Sequence, residues 1–468
     1  MTAKALILAA GAGTRMKSDK PKVVHEVLGK PLVRWVVDAA HDAGIEDVVT
    51  VLGHMSEKVA PFVESDTKIA IQTQQLGTGD AVNAGREAFT QADGSIAEGS
   101  LVVLSGDCPL ITPETIQALI AKREETGAAV VVLTMHMDDP FGYGRIVREG
   151  EAVVRIVEQK DANEQEAAIT ECNSGFYCFD APALFDALSR VSNDNAQGEY
   201  YLTDVLEICR NDGREVLALQ TADAEEAMGV NSRVQLAQAT HAMQHRINNR
   251  HMMAGVTMWD PESTFIGPDV EIAQDVELWP QTYLLGTTKV GSHSVIGPNT
   301  RLTDTQVGCG ARVDETVAIE AQIDDAAECG PRAYLRPGTH LCEGAKAGTH
   351  VEIKKSTIGK GSKVPHLSYI GDTTMGENVN IGAGSITCNY DGVNKNHTEI
   401  GDNVFVGSDT MMVAPVNIGA GAIIGASSCI TRDVAPDALA LERADQREIE
   451  GWAAKHMAKL KAKKEAAK

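Results

Sequence analysis

The sequence predicts two folded parts joined by one helix: an N-terminal α/β domain and a C-terminal triangular coil of short parallel strands. Three observations carry this reading. Short apolar runs alternate with helical stretches through the first half. A six-residue repeat fills 255–435, and glycine use rises from 19 residues in 1–254 to 23 in 255–435.

The apolar runs lie at 5–10, 48–52, 68–72, 101–105 and 128–134. They are continuous rather than alternating, and helical stretches separate them, which indicates a parallel sheet covered on both faces. Run 5–10 also follows a short N-terminal stretch resembling a leader. Its six apolar residues fall short of the roughly 7–15 of a signal sequence, so it reads as a buried first strand. Over 231–250, Leu236, Met243 and Ile247 keep helical spacing without Gly or Pro, predicting one linker helix. Beyond it, Val406, Met412, Ile418, Ile424 and Ile430 recur every six positions, and the segment reads VGSDTM, MVAPVN, IGAGAI, IGASSC, ITRDVA. Six is the period of a β-helix in which each face is one short strand and three faces make a turn. Such hexapeptide coils wind left-handed, against the usual crossover rule. The aliphatic residue is expected to point inward, and the small residue after it to let the chain turn the corner. Segment 387–399 breaks the period and reads as an external loop; the repeat ends after Pro436. The lysine-rich tail reads as a basic helical or frayed terminus. The expected division is 1–230, 231–254, 255–435 and 436–468.

Composition narrows the partners. The 468 residues carry 42 Lys and Arg against 65 Asp and Glu, a formal charge of −23. A surface that acidic repels nucleic acid and anionic membrane. Any anionic substrate must meet a few locally placed cations. The nine cysteines form no C-x-x-C pair, which fits reduced thiols in a cytoplasmic protein rather than a zinc knuckle. No apolar run reaches the ~20 residues of a membrane span.

Two motifs suggest phosphate chemistry. The first strand runs into Gly11-Ala-Gly13-Thr-Arg15-Met, which is neither a Walker A loop nor a dinucleotide fingerprint. A glycine turn there still exposes backbone N–H groups to a phosphate chain. Arg15 offers a planar fork and Lys22 a point charge. With Lys17 and Lys20 they form a basic patch within an acidic chain; the alternative is a solvated loop. Asp107 ends the run 101–105, where a carboxylate can hold Mg²⁺ against phosphate oxygens or merely cap a turn.

The ordered motifs LAAGAGTRM, PKV, QLGTGDA, SGDCP, FGYGRI, IVEQKDA, CNSGFY, NDNAQGEYYLTD and GVNSR resemble bacterial sugar-nucleotide pyrophosphorylases. Followed by LRPGTH, VEIKKS, HLSYIGD, NIGAGSITCNYDG and VFVGSDT, the chain from about 4 to 450 resembles the bifunctional N-acetylglucosamine-1-phosphate uridyltransferase/glucosamine-1-phosphate acetyltransferase family. The resemblance implies a Rossmann-like nucleotidyltransferase domain, a linker helix and an acetyltransferase β-helix supplying cell-wall and lipopolysaccharide precursors. Leu8, Ala9, Ala10 and Gly11 would line uracil and ribose, Arg15 and Lys22 would bind the triphosphate of UTP, and Gln72, Gly77 and Thr78 would read the uracil edge. Asp107 and Asn231 would coordinate Mg²⁺, and Gly144, Glu158 and Asn173 would hold the sugar of N-acetylglucosamine 1-phosphate. In the second half, His366 would be the base that deprotonates the glucosamine 1-phosphate amine, a role suited to histidine. Arg336, Lys354, Tyr369 and Asn380 would hold that sugar phosphate, and Ala383, Asn389, Tyr390, Ser408, Ala426 and Arg443 acetyl-coenzyme A. Pro365 before the base and Thr349-His350 depart from the family pattern. A homotrimer sharing its acetyl-transfer sites is also implied.

Two other readings stay open on the sequence. A monofunctional sugar-1-phosphate nucleotidyltransferase could carry a β-helix that only assembles or regulates it; the Arg336/Lys354/His366/Tyr369 set argues otherwise. A non-enzymatic trimeric scaffold would not need GAGTRM, Lys22 and Asp107.

Overall fold

A computed structural model describes residues 3–11, 13–150 and 152–467; Ala12 of the glycine turn and the first two residues lie outside these. The chain divides into two compact units, 1–250 with 265–268 and 251–264 with 269–468.

The first unit is built on β1 (Lys4–Ala9), β2 (Asp47–Leu52), β3 (Lys68–Ile71), β4 (Ser100–Ser105), β5 (Val130–His136), β6 (Arg145–Glu149), β7 (Ala152–Val157), β8 (Glu171–Asp180) and β9 (Val216–Gln220). The main sheet runs β9-β5-β8-β4-β1-β2-β3. Successive residues of each strand face opposite sides, and in β1, β2, β4 and β5 both sides are buried, which is why these read as unbroken apolar runs; edge strand β3 is mostly exposed. Ile7, Val102, Leu104, Val131 and Leu133 join one core with α1 (Leu32–Asp42) and α3 (Pro113–Thr126). Leu6, Val49, Val103, Val130 and Val132 join the other with α2 (Thr78–Ala84), α4 (Ala181–Leu188) and α5 (Asp204–Asn211). Each fully buried large aliphatic stabilises this arrangement by about 1.5–3 kcal/mol. α3 shows the local logic: the Thr112 hydroxyl accepts from Thr115 N at 3.3 Å, Pro113 opens the helix and left-handed Gly127 closes it. The predicted linker helix is α6 (Arg233–Met253).

One expectation fails here. The sheet is not wholly parallel: β8 runs antiparallel between β4 and β5, and β6 pairs with it antiparallel. That expectation rests on continuous apolar runs, and β8, with the sequence ECNSGFYCFD, is not one of them. A bulge between Asn173 and Tyr177, with Gly175 at φ 83°, bends β8.

The second unit is a left-handed β-helix of three parallel sheets with 11, 10 and 9 strands. Val406 stands over Ile424 and Met412 over Ile430, one coil apart. Val406, Met412, Ile418, Ile424 and Ile430 all point inward, none more than 6% exposed. Buried hydroxyls tie the corners; Ser294 Oγ donates to Gly308 O at 2.8 Å and Ser362 Oγ to Gly376 O at 2.7 Å.

The small residue after each aliphatic has a different cause from the one expected. A Cβ at Gly359 would lie 2.1 Å from Gly376 O, and one at Gly419 would lie 2.4 Å from Pro436 N. The residue is small because the next coil's backbone presses against it. The turn itself is made two residues later, at Gly361 (φ 67°), Asn378 (φ 55°) and Asn403 (φ 57°). The interrupting loop is narrower than 387–399, since Ile386–Cys388 and Thr398–Ile400 are strands of the coil. The coil also continues past Pro436, with Leu439–Ala440 pairing with Ile423–Ile424. α7 (Trp452–Ala466) forms the lysine-rich tail. Among the described residues no helix is long and apolar enough to cross a membrane.

Candidate active sites

In the first unit the carboxyl ends of β1 and β4 open a cleft lined by Leu8, Ala9, Ala10, Gly11, Lys22, Gln72, Gln75, Gly77, Thr78, Ser105 and Asp107. Gly106 N donates to Leu8 O at 2.9 Å, joining the two strand ends. Lys22 Nζ pairs with Asp107 Oδ2 and reaches Asn231 Oδ1 at 2.9 Å, so one ammonium gathers two oxygens from segments far apart in sequence. The buried Cys108 thiol donates to the other Asp107 oxygen at 3.6 Å. Arg15 sits exposed on the turn Thr14–Met16.

The uracil-reading set is built around the start of α2. The Gln72 amide donates to Gly77 O at 3.2 Å and to Asp80 Oδ2 at 2.8 Å. Gly77 adopts φ 117°, and a Cβ there would strike Tyr200 O at 2.5 Å, so only glycine fits. The Thr78 hydroxyl accepts from Leu202 N at 3.0 Å. Gln75, which sequence reading did not single out although it opens the QLGTGDA motif, donates to Ala10 O at 2.6 Å and fixes the strand end.

Gly144, Glu158 and Asn173 come together as expected. Asn173 N donates to Gly144 O at 2.8 Å, and a Cβ on Gly144 would lie 3.5 Å from Asn173 Cβ and 3.6 Å from Glu158 Oε1. Thr203 Oγ1 donates to Glu158 Oε1 at 3.3 Å and Asn173 Nδ2 to Tyr177 Oη at 2.6 Å. Burial pushes the Glu158 carboxyl above its ordinary range, with the Asp161, Asp204 and Glu199 charges adding to it and the Thr203 hydroxyl opposing it. A separate cavity of about 810 Å³, lined by Met135, Met137, Tyr143 and one face of α6 from Gln235 to Asn249, holds none of these groups.

In the second unit the structure gathers Lys354, Tyr369 and Asn389 around Asp372. Lys354 Nζ lies 3.2 Å from Asp372 Oδ2, and Asn389 Nδ2 donates to Asp372 Oδ2 at 2.5 Å and lies 3.4 Å from Tyr369 Oη. Gly371 lets the cluster close up: a Cβ there would sit 2.5 Å from Tyr369 Oη and 2.6 Å from Asn389 Nδ2, so those two side chains occupy the space a larger residue would need. Arg336 follows the strand below and pairs with Glu352 at 2.9 Å. Asp372 is the residue that sequence reasoning missed, and only the YIGD motif pointed towards it. Asn389, assigned by resemblance to the coenzyme, here belongs to this polar cluster.

A second column runs up one corner of the coil. Gly384 N donates to His366 O, Asp409 N to Ala383 O, Ser427 N to Ser408 O, and Arg443 Nη1 to Ala426 O at 3.0 Å. His366 is exposed at the end of Lys363–His366. Tyr390 leads the loop, with Lys395 Nζ 3.9 Å from its ring centre, and Asp391 accepts from Val393 N and Asn394 N at 2.8 and 2.6 Å. Those bonds lower the Asp391 carboxyl to about 2. Asn380 is not brought to Tyr369 within one chain; it pairs with Lys363 in the 11-stranded sheet, whereas Tyr369 belongs to the 10-stranded one.

Known proteins match both halves. The MobA-like NTP transferase domain matches residues 5–211, and the bacterial transferase hexapeptide (six repeats) matches 397–432. The bifunctional protein GlmU of Streptomyces avermitilis is 50% identical over 458 residues, covering 97% of this chain and 94% of that protein. Its counterpart in Streptomyces coelicolor is 51% identical with the same coverage, and that of Syntrophomonas wolfei is 48% identical over 96% of this chain and 99% of its own. With a nucleotidyltransferase domain at one end, a transferase coil at the other and half its residues shared along nearly the whole length, the chain belongs to the GlmU family of bifunctional transferases.

Proposed function

We propose that the second unit transfers an acetyl group from acetyl-coenzyme A to the amine of glucosamine 1-phosphate. The first unit then transfers UMP from UTP to the resulting N-acetylglucosamine 1-phosphate, releasing pyrophosphate and giving UDP-N-acetylglucosamine. The observation that carries this reading is the Lys354–Asp372–Asn389–Tyr369 cluster packed against Gly371. A coil serving only assembly has no need of a lysine, an aspartate, an asparagine and a tyrosine drawn together in this way, which disfavours the monofunctional alternative.

In the first reaction a sugar phosphate oxygen attacks the α-phosphorus of UTP, so the protein's task is positioning and charge neutralisation. Lys22 and Arg15 meet the triphosphate, Gln72 and the Gly77–Thr78 turn orient the base, and Gly144, Glu158 and Asn173 hold the acceptor sugar. Asp107 and Asn231 converge as hard oxygen donors on one cationic position, a donor set that fits Mg²⁺. When bound, Mg²⁺ neutralises charge on the phosphate oxygens.

In the second reaction His366 takes the proton from the attacking amine while Lys354 and Arg336 hold the phosphate of glucosamine 1-phosphate. Ala383, Ser408, Ala426 and Arg443 form a ladder along which acetyl-coenzyme A lies, next to the same corner as His366. Asn380 on another face, and the exposed Tyr390 loop, fit a homotrimer in which one copy completes the site of the next. The chain works in the cytoplasm, with a nucleotidyltransferase domain at 1–230, a helical linker at 231–254 and an acetyltransferase coil that starts at 255 and runs past 435 to Leu439–Ala440. One assay tests the scheme: purified protein with glucosamine 1-phosphate, acetyl-coenzyme A, UTP and Mg²⁺, each omitted in turn. Omitting acetyl-coenzyme A should stop UDP-sugar formation until N-acetylglucosamine 1-phosphate is supplied. UDP-sugar made from glucosamine 1-phosphate at an undiminished rate without acetyl-coenzyme A would overturn it.

A further inference from the structure

A cluster of metal-ligating side chains stands on the nine-stranded sheet of the coil, and neither proposed reaction uses it. Strand Gln322–Ile323 lies beside His340–Leu341 in the next coil, with Gln322 opposite His340 and Ile323 opposite Leu341. Ile323 and Leu341 point inward and are buried. Their neighbours Gln322, Asp324, His340 and Cys342 therefore stand together on the outer surface. His340 Nε2 lies 2.7 Å from Asp324 Oδ2, and Cys342 Sγ lies 3.9 Å from the same nitrogen. One atom from each of the three residues falls within 4.8 Å of the other two.

We propose that Asp324, His340 and Cys342 bind one divalent transition-metal ion of the Zn²⁺ type, with solvent as a fourth ligand, clipping two successive coils together. Tetrahedral zinc takes sulfur at about 2.3 Å and nitrogen or oxygen at about 2.0–2.2 Å, which places neighbouring ligand atoms roughly 3.3–3.6 Å apart. The observed 2.7 and 3.9 Å bracket that range. Small side-chain rotations suffice, because the strands beneath are fixed by the coil. A supporting contact is already in place: Gln322 Nε2 donates to Asp324 Oδ1 at 2.8 Å and leaves Oδ2 turned to the cluster, as an outer-shell group does for a ligating carboxylate. Mixed imidazole, thiolate and carboxylate donors select Zn²⁺ or Co²⁺ over Mg²⁺. His340 and Asp324 side chains are 33% and 31% exposed, so an ion has access and solvent can remain bound.

The test uses Co²⁺ as a spectroscopic probe on the full-length protein, stripped with chelator and held in excess Mg²⁺ to occupy the oxygen site of the first unit. One equivalent of Co²⁺ should produce a thiolate-to-cobalt charge-transfer band. The band should persist in Asp107→Asn and Cys309→Ser and vanish in Cys342→Ser. His340→Ala should weaken Co²⁺ binding, and Gln322→Leu should do so by about 10–100-fold. Zn²⁺ should raise the melting temperature of the wild type but not of Asp324→Asn, a near-isosteric change that keeps the fold. Absence of a thiolate band, or a band undiminished in folded Cys342→Ser, would overturn the assignment.

Discussion

Gly144→Ala places one methyl group in the sugar site, and its effect can be worked out from the geometry. Gly144 lies outside the left-handed region, so the backbone accepts alanine without strain. The added Cβ would stand 2.9 Å from Ile156 Cγ2, 3.5 Å from Asn173 Cβ and 3.6 Å from Glu158 Oε1. The first contact is with the branch methyl of a buried, χ1-stiff isoleucine and forces local repacking; the other two put the methyl in the gap between the groups assigned to the sugar. Overpacking of this kind costs about 1–3 kcal/mol. Expressed in the productive complex, that is roughly a 5- to 150-fold loss of kcat/KM for N-acetylglucosamine 1-phosphate. The assay is pyrophosphate release with the sugar phosphate varied at saturating UTP, and then the reverse. The loss should appear chiefly in the KM for sugar phosphate, with the KM for UTP near wild type and acetyl transfer unchanged. A melting temperature on the same preparation separates a crowded site from a damaged core. A folded variant with wild-type kinetics for the sugar phosphate would refute the placement of the sugar at Gly144, Glu158 and Asn173.

Lys22→Met removes the ammonium that shares Asp107 Oδ2 and Asn231 Oδ1. Mn²⁺ binding without nucleotide, read by water-proton relaxation, should tighten by roughly tenfold or more, while uridylyl transfer falls; unchanged Mn²⁺ affinity would show that the lysine and the ion do not compete. Asp204, at the start of α5, has its carboxyl raised to about 6 by burial and by the Glu207 and Asp161 charges. Its folded-state pKa lies above the unfolded one, so its contribution is fully present below about pH 4 and is lost as pH rises towards 6. The raised value corresponds to about 3 kcal/mol, which screening at this half-exposed position cuts to roughly 1 kcal/mol. Asp204→Asn should therefore raise the melting temperature at pH 7 and leave it unchanged at pH 4; equal effects at both pH values would contradict the assignment. Asp391→Ala frees Val393 N and Asn394 N and loosens the Tyr390 loop. The KM for acetyl-coenzyme A should rise roughly three- to tenfold with the melting temperature unchanged, and an unaltered KM would remove the loop from that site.

The hexapeptide coil was legible because its pattern is enforced at every turn. Val406 must stack on Ile424 and Gly359 must clear Gly376 O, so both inward face and period are written in the residues. The strands of the first unit were legible for a similar reason, since burial on both faces leaves continuous apolar runs. Direction was not: β8 (ECNSGFYCFD) is half polar and lies outside the apolar runs, and it pairs antiparallel with both β4 and β5. Site chemistry was legible where it sat in dense motifs, as with Lys22 and Asp107, and the resemblance supplied Asn231, more than 200 residues downstream of Lys22. Asp372 and Gln75 escaped although both lie inside quoted motifs, HLSYIGD and QLGTGDA, because they act by orienting other groups, Lys354 and the Ala10 carbonyl, and a motif does not say which of its residues does that. Asn380 shows a further limit, since a six-residue period marks inward residues but not which outward ones meet.

The central claim is that one chain houses two independent active sites. It is tested most directly by measuring both reactions, uridylyl transfer from UTP to N-acetylglucosamine 1-phosphate and acetyl transfer to glucosamine 1-phosphate, on Asp107→Asn and His366→Ala. Asp107→Asn should lose uridylyl transfer by several orders of magnitude and keep acetyl transfer. His366→Ala should lose acetyl transfer by about 10²–10⁴-fold, with the defect shrinking at higher pH as the free amine deprotonates, and keep uridylyl transfer. Loss of both activities in either variant at a wild-type melting temperature, or of neither, would contradict the account.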